Sequence, residues 1–132
     1  VFGVSASGDQ YYFFTVDESQ YYTLRKYQGG SMSTLINWTQ SPALNAGQAK
    51  NRLRVERYGT GIALYANGQH LASVDDGSLT GARRIGLFAA SFDNVPVDIR
   101  FDNIAVYAPP LGTVVTEVRT DAQTASTEGL AP

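Results

Sequence analysis

The stretch that decides the fold class is GIALYANGQHLASV, at residues 61–74. Side chains alternate in character on both sides of Asn67-Gly68, which is the pattern of β-strands with one buried face. Asn-Gly is favoured in a type I′ hairpin turn, because both central residues of that turn need a positive φ. The stretch therefore predicts a β-hairpin with arms at Gly61–Asn67 and His70–Val74.

The same period of two runs through much of the remaining chain, and no segment shows helical spacing of apolar residues over a dozen positions. Many short strands with turns between them indicate an antiparallel sandwich of two sheets. Further strands are expected at Val1–Ser5, Gln10–Val16, Tyr21–Tyr27, Thr34–Trp38, Asn51–Tyr58, Arg84–Ala90 and Val97–Tyr107. The core positions expected from alternation are Tyr12, Phe14, Leu24, Leu53, Val55, Leu64, Leu87, Phe101 and Ile104.

The composition is that of a folded domain. Of 132 residues, 43% are hydrophobic and 17% are charged. The net charge is -2 and the basic residues are scattered, so the basic stripe that nucleic-acid binding requires is missing. Apolar runs are far shorter than the roughly 20 residues of a membrane span. The chain has no Cys, which excludes disulfides, thiolate metal sites and cysteine nucleophiles.

The composition changes after Tyr107. Pro109 and Pro110 end a strand, because proline cannot donate to a β-ladder, and the rest is rich in Thr, Ala and Ser. We expect a β-sandwich domain at 1–107 and a tail or linker at 108–132, with one extra strand at 113–119 as an option. Three alternatives stay open for the tail: a disordered linker, a strand folded back on its own domain, or a strand added to a neighbouring chain's sheet.

Three motifs carry a family resemblance: NRLRVERYGTGIALYANGQHLASVDD at 51–76, RRIGLFAASFD at 83–93 and VDIRFDNIAVY at 97–107. In this order they resemble the concanavalin A-like lectin/glucanase superfamily, in particular laminin G-like and 3-keto-disaccharide hydrolase-like domains of exported bacterial proteins. The resemblance implies a jelly-roll sandwich at the cell surface or outside the cell. Such domains open with strands before the position of Val1, so the N-terminal strands of the family are expected to be absent. The fold hosts lectins, hydrolases and structural modules, and so leaves function open.

Catalytic residues are not predicted. Glycosidases of the superfamily carry a Glu two positions from an Asp on one strand, and hydrolysis needs such a pair of carboxylates. Of the four Glu, only Glu56 falls in a well-defined strand, and its neighbours on the same face are Arg54 and Tyr58. Glu56 is interpreted as solvated or paired with an Arg. His70, the only His, is expected to be a surface residue beside the hairpin turn, so the chain is not expected to be an enzyme.

Oxygen ligands for Ca²⁺ are present at Asp75, Asp76 and Asp93. Asp also caps turns through bonds to its own backbone, and this explains the same residues without a metal. We assign no cofactor, and Ca²⁺ remains the one candidate metal.

Aromatic residues give the most informative pattern for function. If Tyr12, Phe14, Tyr22 and Leu24 face the core, the other face of the same strands carries Tyr11, Phe13, Tyr21, Arg25 and Tyr27. Aromatic rings and an Arg form a suitable platform for a glycan, with Tyr11, Tyr21, Arg25, Tyr27 and Trp38 as the candidate binding residues. The alternative is that this face is covered, by the second sheet or by another chain.

Three functions follow in order. The first is a carbohydrate-binding module of an exported bacterial protein. The second is a structural subunit that assembles with neighbouring chains, as a homo-oligomer, through an open sheet edge or the C-terminal tail. The third, a glycoside-active enzyme, ranks last because the pair of carboxylates is missing.

Overall fold

The structure is a computed structural model, and it describes residues 1–79, 84–91, 96–108 and 113–117. These residues form β-strands and no helix, which confirms the all-β prediction. The chain divides into two compact units, Val1–Ile85 and Gly86–Pro132. Within the described ranges there is accordingly no helix that is long and apolar enough to cross a membrane.

The first unit contains two three-stranded antiparallel sheets. Sheet 1 has the order β1-β2-β3, with β1 at Tyr11–Val16, β2 at Tyr21–Gln28 and β3 at Ser31–Gln40. Sheet 2 has the order β4-β5-β6, with β4 at Leu53–Tyr58, β5 at Gly61–Ala66 and β6 at Gln69–Asp75. The six strands predicted between residues 10 and 74 agree with these bounds to within about three residues at each end. Two sheets of this kind are consistent with a β-sandwich.

The Asn67-Gly68 hairpin is confirmed. Ala66 pairs with Gln69, and the two turn residues have φ of 52° and 82°, both positive as a type I′ turn requires. The Asn67 side chain also ties the hairpin to the preceding loop. Its Nδ2 donates to the Ala43 carbonyl and to Asn51 Oδ1, each at 2.8 Å, and its Oδ1 accepts from the backbone N–H of Arg52 at 2.9 Å. The side chain of this turn residue thus holds residues 43–52 against the hairpin through three hydrogen bonds.

Asn67→Asp is expected to lower the free energy of unfolding by about 2 kcal/mol, because a carboxylate cannot donate to the two oxygens that now accept from Nδ2. Urea denaturation at pH 7 measures the loss. Asn37→Asp makes the same chemical change at an exposed strand position and should cost less than about 0.5 kcal/mol. Equal losses in the two variants would show that the Asn67 amide bonds are not the source.

Side chains from both sheets form one buried cluster, which consists of Tyr12, Tyr22, Leu24, Leu44, Ile62, Leu64, Ala66 and Leu79. The core positions predicted at Tyr12, Leu24 and Leu64 are confirmed, and Phe14 and Val55 pack against the cluster while half-buried. The prediction for Leu53 is wrong, since its side chain is 41% exposed. Leu53 is the first residue of an edge strand, so only one side of it is flanked by another strand.

The predicted strand at Val1–Ser5 is reduced to two isolated bridges, Phe2 with Tyr12 and Val4 with Arg84. Gly3 interrupts it with a φ of 63°. A Cβ at Gly3 would lie 3.0 Å from the Tyr12 ring, so glycine is what lets the backbone pass over this buried tyrosine.

In the second unit, β7 at Ala105–Ala108 pairs antiparallel with β8 at Thr113–Glu117. A strand is therefore present in the tail, within the range 113–119. The strand predicted at Arg84–Ala90 is wrong, since only Arg84 makes a bridge, and the strand predicted at Val97–Tyr107 begins only at Ala105. An apolar run favours a buried extended segment but does not supply a pairing partner. The predicted core positions Leu87, Phe101 and Ile104 are half-buried. The division into domains at 107 stays a prediction.

Candidate functional site

One face of sheet 1 carries stacked aromatic rings. Register places Tyr11 opposite Tyr27 and Phe13 opposite Arg25. The Tyr11 and Tyr27 rings stack with centroids 5.3 Å apart and planes 23° apart, and Phe13 meets Tyr11 edge-on at 6.4 Å. We call this surface, with Arg25 and Trp38, the aromatic face.

Trp38 reaches the aromatic face because of irregular pairing. The pairing of β2 with β3 shifts register on both sides of Leu24, which pairs with Ile36 on the core side. In a regular strand Trp38 would share the face of Ile36, since side chains repeat every two residues. The shift between Tyr22 and Leu24 places Thr39 opposite Tyr22 on the core side, so Trp38 turns outward. There the Arg25 Cζ lies 6.0 Å from the Trp38 ring centroid, within the range of a cation–π contact.

Arg25 is the only charged residue that β1, β2 and β3 place on the aromatic face. The residue is half-buried, and its Nε is buried without a hydrogen-bond partner among the described residues. Thr15 Oγ1, on the same face of β1, is also buried, and no described residue forms a hydrogen bond with it. Polar atoms of this kind are exceptions in folded proteins and require an explanation.

Tyr21 lies on the same side of β2 as Arg25 and Tyr27 by alternation, opposite Gln40. It is separated from Tyr27 by about 20 Å along the strand. Thr23 lies between them, fully buried, and its hydroxyl donates to the Ile36 carbonyl at 2.7 Å. The structure thus brings Tyr11, Tyr27, Arg25 and Trp38 into one region and places Tyr21 at the far end.

A charged network connects the two sheets, and no pattern in the sequence predicts it. Asp76 Oδ2 accepts from Lys26 Nζ at 2.7 Å, and Oδ1 accepts from Tyr12 Oη at 2.6 Å and from the Ser78 backbone N–H at 3.0 Å. Burial raises the pKa of Asp76, but the hydrogen bonds from Lys26, Ser78 and Tyr12 outweigh burial and hold that pKa well below its usual value. This carboxylate is a structural acceptor, already engaged on both oxygens.

The outer face of sheet 2 carries a second cluster. The Arg54 Cζ lies 4.0 Å from the Tyr65 ring centroid, Tyr65 Oη donates to Glu56 Oε2 at 3.2 Å, and Arg54 Nε lies 3.4 Å from Glu56 Oε1. This confirms that Glu56 is paired with an Arg. Beside Glu56, a shallow hollow of about 260 Å³ opens over the small residues Gly61 and Ala63.

His70 belongs to the same cluster and contacts a hydroxyl. Its Nε2 lies 2.7 Å from Ser73 Oγ, and its ring meets the Tyr65 ring edge-on at 5.3 Å. A Ser–His pair is part of nucleophilic catalysis, but the catalytic arrangement also needs a carboxylate on the other ring nitrogen. No hydrogen bond within the described ranges joins His70 to a carboxylate, and His70 is exposed as expected.

Of the candidate Ca²⁺ ligands, the structure describes Asp75 and Asp76. Asp75 is exposed, and from the described residues its side chain accepts only a long bond from Thr60 Oγ1, at 3.4 Å, while both oxygens of Asp76 are bound in the network between the sheets. Asp93 lies outside the described residues. Within the described ranges, no three His, Cys, Asp or Glu side chains are placed to hold a metal ion.

Comparison with known proteins finds no relative: no family model, no curated protein and no solved structure matches the chain. What the fold and the sites define is thus the class alone, an all-β protein with two antiparallel three-stranded sheets. The resemblance to the concanavalin A-like superfamily stays a prediction.

Proposed function

We propose that the chain is a non-catalytic carbohydrate-binding module of the concanavalin A-like, jelly-roll type, from an exported bacterial protein that works at the cell surface or outside the cell. The observation that carries this proposal is the aromatic face, where the Tyr11–Tyr27 stack lies on the same side of sheet 1 as Arg25 and Trp38. Tyr11 lies on β1, Arg25 and Tyr27 lie on β2, and Trp38 lies on β3, so the pairing of the three strands positions all four side chains.

The chemistry of the aromatic face suits a sugar. A pyranose has an apolar face of C–H groups, which packs on an aromatic ring, and a rim of hydroxyls, which need hydrogen-bond partners. The stacked tyrosines supply the apolar packing surface, and the Tyr hydroxyls with the Arg25 guanidinium supply the hydrogen-bond partners. The exposed edge of Trp38, 36% accessible, widens the platform.

The environment of the carboxylates supports a non-catalytic role. Glycoside hydrolysis needs two carboxyl groups that flank the scissile bond, one as general acid and the other as nucleophile or general base. Glu56 is engaged by Tyr65 and Arg54, and Asp76 by Lys26 and Tyr12. Neither has the isolated, apolar setting that turns a carboxyl group into a general acid.

Tyr27→Ala is expected to weaken binding of oligosaccharides about tenfold, which is the loss of one stacking contact. Titration calorimetry over a panel of neutral and acidic oligosaccharides measures the affinity. Tyr58→Ala removes an 80% exposed tyrosine from sheet 2 and is the matched control, with unchanged affinity expected. Both variants should melt close to the wild type, because neither ring belongs to the buried cluster.

Two results would contradict the proposal. If no oligosaccharide of the panel binds the wild-type chain, the aromatic face is not a glycan platform. If an oligosaccharide is cleaved and Glu56→Gln abolishes the cleavage, the non-catalytic assignment is wrong.

A second candidate function is a structural subunit that assembles by strand addition. It is favoured by β3, which is ten residues long, mostly exposed, and paired on one side only among the described strands. An edge of this length offers unpaired N–H and C=O groups to a strand of another chain. A mass that grows with protein concentration in analytical ultracentrifugation would favour this alternative.

A further inference from the structure

We infer that the aromatic face recognises an acidic glycan, whose sugars carry a carboxylate, and that Arg25 binds this carboxylate. The inference rests on the proposed function and names the class of its ligand.

Arg25 differs from the other buried or half-buried basic residues that the structure describes in the first unit. Lys26 pairs with Asp76 at 2.7 Å, and Arg57 donates to the Leu79 carbonyl and lies over the Tyr12 ring. For Arg25, the described residues provide the Trp38 ring and no hydrogen-bond acceptor or carboxylate. The strands of sheet 1 therefore present an uncompensated positive charge in an aromatic setting.

The physical chemistry of that charge favours an anion as partner. A half-buried charge without a partner costs free energy, which an anionic ligand recovers when it binds. The guanidinium is planar and matches a carboxylate through two parallel hydrogen bonds, whereas a sugar hydroxyl accepts only one and carries no charge. The cation–π contact with Trp38 restrains Arg25 before the ligand arrives, which reduces the entropy lost on binding.

The spacing along β2 fits one sugar unit. Arg25 and Tyr27 are two residues apart on the same side of the strand, so their Cα atoms lie about 7 Å apart. A ring stacked on Tyr27 can therefore point a carboxylate at Arg25.

The test compares an acid with its own ester. The intact chain is titrated with oligogalacturonate, oligoglucuronate and oligomannuronate, and with the methyl ester of each, which keeps the sugar ring and removes the charge. We expect at least one acid to bind about tenfold more tightly than its ester at low salt, with the preference shrinking as NaCl is raised. Arg25→Gln should abolish the preference, binding acid and ester alike.

Two matched variants separate charge from stacking. Arg52→Gln makes the same change at an exposed position outside the strands of sheet 1 and should keep the preference. Tyr27→Ala should weaken acid and ester by the same factor. If Arg25→Gln has a lower melting temperature than the wild type, Arg25→Lys replaces it in the test. Lysine keeps the positive charge but lacks the two parallel guanidinium donors, so we expect a smaller preference for the acid over the ester.

The outcomes distinguish this inference from the function it rests on. Equal affinity of the wild type for acid and ester, or a preference that survives in Arg25→Gln, overturns the role of Arg25. Binding of neutral oligosaccharides that depends on Tyr27, without binding of any uronate, refutes the acidic ligand and leaves the glycan module standing. Absence of binding to every acid, ester and neutral oligosaccharide refutes both.

Discussion

Replacing Asp76 by Asn is expected to lower the free energy of unfolding by about 3 to 5 kcal/mol, the loss seen when one partner of a buried ion pair is removed. The Lys26 and Asp76 side chains are only 15% and 11% exposed, so the variant leaves the Lys26 ammonium largely buried without its counter-charge. An Asn amide also points N–H groups at donors, because Asp76 accepts from Lys26, Tyr12 and Ser78. Urea denaturation at pH 7 measures the loss.

Asp75→Asn is the matched control, one residue away in the chain. Asp75 is exposed and its only bond in the described structure is the long one from Thr60, so the variant should change stability by less than about 0.5 kcal/mol. Similar losses for the two variants would contradict the importance of the Asp76 network.

The same network predicts a pH dependence. The pKa of Asp76 is lower in the folded chain than in the unfolded chain, because the bonds from Lys26, Ser78 and Tyr12 outweigh the effect of burial. The stabilisation is therefore fully present above the usual Asp pKa of about 4 and is lost as the pH falls below it. Between pH 5 and pH 2 the wild type should lose more stability than Asp76→Asn, since the variant has no such carboxylate to protonate. If the free energy of unfolding falls with pH by the same amount in the wild type and in the variant, Asp76 does not contribute to the pH dependence.

The second large effect is expected at Leu44. Leu44→Ala should cost about 2 to 5 kcal/mol, because the side chain is fully buried in the cluster between the sheets and its removal leaves a cavity. Leu53→Ala removes the same atoms from a 41% exposed side chain and should cost less than about 1 kcal/mol. Thermal or urea unfolding of the two variants measures the difference.

This pair also tests the arrangement of the core. Alternation along the strand predicts that Leu53 is buried, and it makes no prediction for Leu44, which lies outside the strands. In the structure Leu44 is buried and Leu53 is exposed. A larger loss for Leu53→Ala than for Leu44→Ala would therefore argue against the packing described here.

The sequence predicted well what depends on neighbouring residues. The six strands of the first unit and the Asn67-Gly68 turn follow from local alternation and turn chemistry. The sequence could not predict Leu44 and Leu79, which belong to the core but lie outside the strands. Nor could it predict the bond from Tyr12 to Asp76, since 64 residues separate them and only the packing of the two sheets brings them together.

At the candidate sites, sequence patterns fail to predict the contacts that depend on β-bulges. The Tyr11–Tyr27 face follows from alternation in regular strands, and it was predicted. His70 and Ser73 are three residues apart, so a regular strand would put them on opposite faces. The register shift beside Tyr65 places His70 opposite Tyr65 and Ser73 opposite Ala63, on the same side. One extra residue in a strand thus creates a contact that no two-residue period contains.

Every strand of the two sheets pairs with a strand next to it in the chain: β1 with β2, β2 with β3, β4 with β5, and β5 with β6. Each pairing closes a short loop, and the entropy of loop closure grows with loop length. Proteins rich in such local pairings fold faster than sandwiches whose neighbours are distant in sequence. We therefore expect each three-stranded meander to form early, and the slow step to be the docking of the two meanders, when the chain between Tyr12 and Asp76 must close. Substitutions at that junction should change the refolding rate more than substitutions in the Asn67-Gly68 turn do.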